Sequence, residues 1–178
     1  MKKLLIGIIA VGISVVANAA AMNWSVLNVQ SSPNNAVAAG WAVQLFYAAD
    51  GAFNYDNMIA GTLTAFATGS TVASGTTFRA NGTTGNVFAA SSSTDIYMVI
   101  FDNSDATKAA NYIVSGTKTV SVAANDAPPT VAFGNMALST AANAFNGASW
   151  QTAAVPEPTS GLLMLLGMAG LALRRRRA

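Results

Sequence analysis

The chain contains no histidine and no cysteine among its 178 residues, and its one glutamate is Glu157. Without imidazole or thiol there is no Ser-His-Asp triad, no Cys-His nucleophile and none of the common zinc sites. No disulfide can form either, so a folded domain must be held by core packing. Charge is scarce as well: Asp, Glu, Lys and Arg make up 9% of the residues. The formal excess of +2 comes from the two ends, Lys2 and Lys3 at the start and Arg174 to Arg177 at the finish. Between Met22 and Val155 only Arg79, Lys108 and Lys118 face six aspartates, a net charge of −3. Nucleic acid binding needs a clustered basic face, so no nucleic-acid partner is expected.

Large aliphatics are sparse too. Leu, Ile, Val and Phe make up about a fifth of the middle of the chain, near the boundary below which a core becomes difficult to build. All fifteen aromatic residues fall in that middle part, and its net charge is small. Both features favour a folded domain over a solvated coil.

The periodicity there is that of strands. Asn23 to Gln30 alternates and ends in a Ser-Ser-Pro-Asn-Asn loop at residues 31–35. Gly40 to Ala49 places Trp41, Val43, Leu45 and Tyr47 on one face and Gln44 and Phe46 on the other, the clearest period-2 pattern in the chain. Asp50-Gly51 and Asn81-Gly82 are type I′ hairpin cues, because both central residues must take positive φ. They predict Phe46 opposite Tyr55 and Phe78 opposite Gly85. Asp95 to Asp102 is apolar on both faces, which predicts a central strand covered by two layers. Tyr112 to Ser115 and Thr117 to Ala123 read as a hairpin around Gly116, and Val131 to Phe133 as a last strand. Leu45 to Ile59 and Ile100 to Val114 share an order of apolar strand, Asp-bearing turn and Asn-Tyr, a likeness that any strands joined by polar turns produce. Strand-turn units spaced by roughly ten residues point to an all-β fold, an antiparallel β-sandwich of jelly-roll or immunoglobulin-like type.

Three groups of residues carry chemical interest. Ser115-Gly116-Thr117-Lys118 fits S-x-x-K, but that chemistry requires both side chains on the first turn of a helix, and here they sit in a glycine-centred turn. Asp50 with Asp56, and Asp102 with Asp105, have the spacing of turn residues whose carboxylates accept local N–H bonds, without the ligand spacing of a calcium loop. Trp24 and Trp150 are the candidates for stacking on sugar rings, with core or sheet-edge packing as the alternative. No cofactor, metal or catalytic residue is expected.

The two ends are more specific. Met1-Lys2-Lys3, the apolar run Leu4 to Val16 and the small-x-small triplet Ala17-Asn18-Ala19 have the form of a secretory signal peptide. Ala19-Ala20-Ala21 offers an alternative cleavage site two residues on. The Sec translocon and signal peptidase are the expected partners. At the other end, Pro156-Glu157-Pro158 precedes thirteen apolar residues, Gly161 to Leu173, and then Arg174, Arg175, Arg176 and Arg177. The prolines keep their segment extended. The apolar run makes roughly 20 Å of helix against a hydrocarbon core of roughly 30 Å, a short span, and the arginines act as a cytoplasmic stop-transfer signal.

This tail resembles the PEP-CTERM sorting signal of exported Gram-negative proteins, found in bacteria that make extracellular polysaccharide and carry an exosortase. The resemblance implies processing by exosortase at or near Pro156-Glu157-Pro158, a transient inner-membrane intermediate, and release or retention at the cell surface or in an exopolysaccharide matrix. The expected organisation is a signal peptide and signal helix over residues 1–21, a β-sandwich over 22–135, a partly helical linker over 136–154 and the sorting signal with a transmembrane helix over 155–178. The expected role is structural or adhesive and not enzymatic. A carbohydrate-binding module would instead display coplanar exposed aromatics, and an Asp-dependent glycoside hydrolase would bring two aspartates together in a cleft.

Overall fold

The computed structural model describes residues 19–123 and 128–153. In chain order the strands are β1 (Ala19–Ala20), β2 (Asn23–Leu27), β3 (Ala42–Tyr47), β4 (Ala67–Ser74), β5 (Thr77–Thr83), β6 (Phe88–Ala89), β7 (Ser93–Phe101), β8 (Asn111–Val114), β9 (Lys118–Ser121), β10 (Thr130–Asn135) and β11 (Gln151–Thr152). One short helix, α1 (Tyr55–Ile59), follows β3. Nine strands form a single sheet in the order β10-β2-β5-β4-β3-β7-β8-β11, with β9 also pairing β7, while β1 pairs β6 separately.

The sheet curls because β4 serves both halves. Its first residues, Ala67 to Ser70, pair with β3, and Thr71 to Ser74 pair with β5. Pairing is antiparallel except between β10 and β2, which run parallel. The all-β class therefore holds, but in place of two separate antiparallel sheets there is one continuous curled sheet with a parallel edge. The low content of large aliphatics is met by using both faces of β7, the most apolar segment. Ile96, Met98 and Ile100 enter the enclosed core with Trp24, Val43, Leu45 and Phe133. Tyr97, Val99 and Phe101 face outward into a second apolar cluster with Phe46, Tyr55 and Tyr112. The two-sided pattern read at Asp95 to Asp102 is thus a central strand, paired on one edge by β3 and on the other by β8 and β9.

The hairpin cue at Asp50-Gly51 does not make a hairpin. Ala48–Asp50 is a 3-10 turn, and Asn54 caps α1 by accepting the Asn57 N–H at 2.9 Å. The run after the turn, Tyr55-Asp56-Asn57-Met58-Ile59, has no period-2 pattern to offer a strand partner, so local capping decides. Phe46 instead pairs across the sheet with Tyr97, the rings stacked at 5.5 Å. Tyr55 reaches the same outer cluster from α1 and stacks on Tyr112 at 5.6 Å and 6°. The two Asn-Tyr stretches therefore meet in space although one starts a helix and the other a strand.

Asn81-Gly82 lies inside β5, opposite Ser25 and Trp24 of β2. The actual turn is Gly75-Thr76, with Gly75 at φ 63 and the Ser74–Thr77 pair closing it, so that Phe78 faces Ala73 and not Gly85. Gly82 has a packing role: a Cβ there would lie 2.7 Å from the Trp24 ring, and one at Gly69 would lie 2.6 Å from it. The glycine that signals a turn in the sequence is here a slot for an indole.

Around Gly116 there is also no hairpin. β8 and β9 follow one another along the same edge of β7. The segment read as a linker, 136–154, belongs to the body as far as it is described. Asn143, Phe145 and Ala153 are buried, the Ala144 N–H donates to the Phe133 carbonyl at 2.7 Å, and β11 pairs with β8. Between β10 and β11 the segment forms turns, held through Asn143 and Phe145 and not through a regular helix. Of the expected signal helix over residues 1–21, residues 1–18 lie outside the described ones and Ala19–Ala20 is strand β1, while the expected transmembrane helix lies wholly outside them; among the described residues no helix is long and apolar enough to cross a membrane.

Candidate functional site

Ser115 fills the break between β8 and β9. Its hydroxyl oxygen accepts the Met98 N–H at 2.9 Å and donates to the Gly116 carbonyl at 2.8 Å, while its own N–H reaches the Met98 carbonyl at 2.9 Å. The side chain thus supplies the acceptor that a continuous strand would have offered to β7. Lys118 turns elsewhere, its Nζ donating to the Ala142 carbonyl at 3.1 Å. The S-x-x-K pair is committed to two separate backbone contacts, consistent with its place outside a helix.

Asp102 directly follows β7 and is 4% exposed. One oxygen accepts the N–H groups of Ala110 and Asn111, each at 2.9 Å. The other accepts from the Ser32 hydroxyl at 2.9 Å and from the side-chain amides of Asn35 and Asn111 at 3.0 and 2.8 Å. Burial pushes its pKa up, but the hydrogen bonds from Asn111, Ser32 and Asn35 outweigh it and hold the carboxyl below the ordinary value. Asp105 caps the 3-10 turn Ala106–Lys108 through the Thr107 N–H and hydroxyl, and forms an ion pair with Lys108 at 2.9 Å. Its pKa is held down to about 2, first by the Thr107 hydroxyl and then by Lys108. Both aspartates are ionised and already engaged, and neither is a proton donor at neutral pH. Asp50 closes the turn after β3 and Asp56 lies in the first turn of α1.

The two tryptophans singled out for stacking on sugars differ. Trp24 is 2% exposed, its ring wedged against Gly69 and Gly82, and its Nε1 has no hydrogen-bond partner. It is a core residue and presents no face to a ligand. Trp150 is half-buried and meets Trp41 edge-on, ring centroids 5.8 Å apart at 84°. Coplanar presentation is excluded for that pair.

The sequence reading missed a cavity of about 310 Å³ on the outer face, lined by Ala48, Ala52, Phe53, Tyr97, Val114 and Gly116. Only the aromatic content of Phe53 and Tyr97 hinted at it. The Tyr97 hydroxyl is buried without a partner, and burial, with a smaller contribution from Asp50, pushes its pKa up to about 12. A phenol so weakly acidic stays neutral and serves neither as base nor as nucleophile at physiological pH.

Of the cleavage triplet residues, Ala17 lies outside the described residues, while Ala19 is exposed in β1 and Ala21 is half-buried just before Met22. Pro156, Glu157, Pro158 and Arg174 to Arg177 lie outside the described residues. Ser115, Lys118, Asp102 and Asp105 are thus bound to the body's own backbone, while the order of Pro-Glu-Pro, apolar run and arginines in the tail is that of an exported protein with a C-terminal sorting signal. The family model of the PEP-CTERM protein-sorting motif matches residues 154–177. The chain carries this motif, which implies an exosortase as its processing partner and export to the envelope or surface of a Gram-negative bacterium. No curated protein and no solved structure matches the chain.

Proposed function

We propose that this is a non-enzymatic protein of an extracellular polysaccharide matrix, in which the curled β domain has a structural or adhesive role and the tail is a delivery signal removed by exosortase. The observation that carries the reading is the sorting motif at residues 154–177. The way the domain uses its reactive side chains supports the non-enzymatic part: Asp102, Asp105 and Ser115 are each bound into the backbone framework. The aromatic rings support a structural role over a carbohydrate-binding module, since Trp24 is buried and Trp150 packs edge-on against Trp41.

The test is fractionation of cells that make the polysaccharide, with and without the gene. The protein is expected in the matrix fraction, and its loss is expected to weaken matrix cohesion. Recovery of the protein wholly as a free species in the medium, with cohesion unchanged by deletion, removes the reading. Trp150→Ala is expected to leave retention on the organism's own polysaccharide unchanged; a folded variant that no longer binds transfers the assignment to the carbohydrate-binding module.

A further inference from the structure

From the burial of Met22 we infer that signal peptidase cuts between Ala19 and Ala20, and that Ala20 and Ala21 are the first residues of the mature domain. The inference rests on the reading of residues 1–21 as a cleaved signal peptide. Both small-x-small triplets, Ala17-Asn18-Ala19 and Ala19-Ala20-Ala21, satisfy the peptidase, so residue type alone leaves two possible mature starts.

The fold separates them. Met22 is fully buried, its backbone N–H donates to the Thr84 hydroxyl at 2.9 Å, and its carbonyl accepts the Thr84 N–H at 2.8 Å. Thr84 is itself buried, and its hydroxyl already donates to the Gly85 carbonyl at 2.8 Å. In a chain cut after Ala21, the Met22 nitrogen becomes an α-amino group with an ordinary pKa of about 8, mostly protonated at neutral pH. Three N–H donors and a full positive charge would then sit at a nitrogen whose side-chain acceptor is the one Thr84 hydroxyl. Burying such a group, charged or forced neutral, is strongly unfavourable.

The same cut removes β1, whose Ala19 and Ala20 pair with Ala89 and Phe88, and with it the Ala20 side chain that packs on the enclosed core. A cut after Ala19 gives up only the Ala19–Ala89 pair. The new amino group falls on Ala20, next to the exposed Ala19 position, while Met22 keeps an amide and Ala20 keeps its place opposite Phe88.

The experiment is N-terminal peptide mass determination on the protein isolated from the envelope and matrix of its own host. The expected first residue is Ala20. A first residue of Met22 overturns the inference and leaves export standing, whereas a chain still beginning at Met1 overturns the export reading and this inference with it. Two variants sharpen the result. Ala21→Phe blocks only the second triplet and is expected to leave the Ala20 start in place, while Ala17→Phe blocks only the first and is expected to abolish it. Any Met22-start protein formed by Ala17→Phe is expected to melt about 5–10 °C below the Ala20-start form. Equal melting temperatures for the two forms would also overturn the inference.

Discussion

Ser32 and Asp102, 70 residues apart in sequence, are joined by a buried hydrogen bond of 2.9 Å in which the hydroxyl donates to the carboxylate. Through the same carboxylate the loop after β2 is tied to the end of β7 and the start of β8. Five donors converge on two oxygens, and none of the five is on a charged group. Asp102→Ala leaves them without their acceptor and is expected to lower stability by about 3 kcal/mol. Asp102→Asn turns an NH2 group toward existing donors and is expected to cost about 2 kcal/mol, against roughly 5–15 in total for a domain. Urea denaturation checks both; a loss below about 0.5 kcal/mol in either variant contradicts the clamp.

The same carboxylate makes the domain sensitive to acid. Its folded pKa lies below the ordinary value, so its contribution is fully present above the unfolded pKa of about 4 and is lost as pH falls through the folded value. Stability is expected to be flat from pH 7 to about pH 5 and to decline below pH 4. In Asp102→Asn the decline should be shallower, because the titrating group is gone. Parallel pH profiles for parent and variant would contradict the assignment.

Gly82→Ala and Gly69→Ala each press a methyl group into the Trp24 ring, at 2.7 and 2.6 Å. Each is expected to destabilise by about 1–3 kcal/mol. The diagnostic measurement is a double-mutant cycle with Trp24→Leu. In that background the penalty for Gly82→Ala should shrink to a fraction of its original size. A penalty that stays the same places its origin in the backbone and not in the indole.

Ser115→Ala removes the acceptor of the buried Met98 N–H and is expected to cost about 1–3 kcal/mol. Lys118→Met, which releases an exposed contact to the Ala142 carbonyl, should change stability by less than about 0.5 kcal/mol. If the two belonged to one catalytic unit they would fail together in an activity and not separately in a melt. Thermal unfolding of both variants distinguishes the cases.

Pro156→Ala with Pro158→Ala is expected to block tail processing, so that a membrane-held species ending in Arg177-Ala178 accumulates. The parent is expected to lose its arginines. Six leucines in a thirteen-residue apolar run contribute only about −2 to −4 kcal/mol of insertion, which suits brief recognition better than permanent anchoring. Intact-mass measurement of envelope and extracellular fractions reads the outcome directly, and a dominant parent species that keeps Arg177-Ala178 sinks the processing claim.

Strands with an unbroken chemical pattern were legible in the sequence. β7 was readable because six consecutive apolar residues leave no polar face, and β3 because Val43 and Leu45 alternate against Gln44. What was not legible depended on distant partners. Asn81-Gly82 reads as a turn until Trp24, far away in sequence, is seen to need the bare backbone of Gly82. Trp24 reads equally well as a sugar platform or a core residue, since an indole suits both, and only the curl of the sheet decides. Asp102 reads as a turn residue, and its local bonds to Ala110 and Asn111 agree, but nothing local announces Ser32 or Asn35. Residues 136–150 lack periodicity because they form turns in which isolated side chains, Asn143 and Phe145 among them, are buried at irregular spacing. The sorting motif was legible because its Pro-Glu-Pro triplet, apolar run and arginines stand in sequence order and need no tertiary partner to be recognised.

The parallel pairing of β10 with β2 has a kinetic consequence. Asn23 finds its neighbour Thr130 only when most of the chain is present, so the first long strand to emerge from a ribosome or a membrane pore has to wait for nearly the last. Until then one edge of β2 is unpaired and the loop that will close it is long, a combination that slows folding and exposes the chain to wrong partners. The sorting motif at residues 154–177 follows β11 almost directly, so both partners of the parallel edge, β2 and β10, precede it in the order of synthesis.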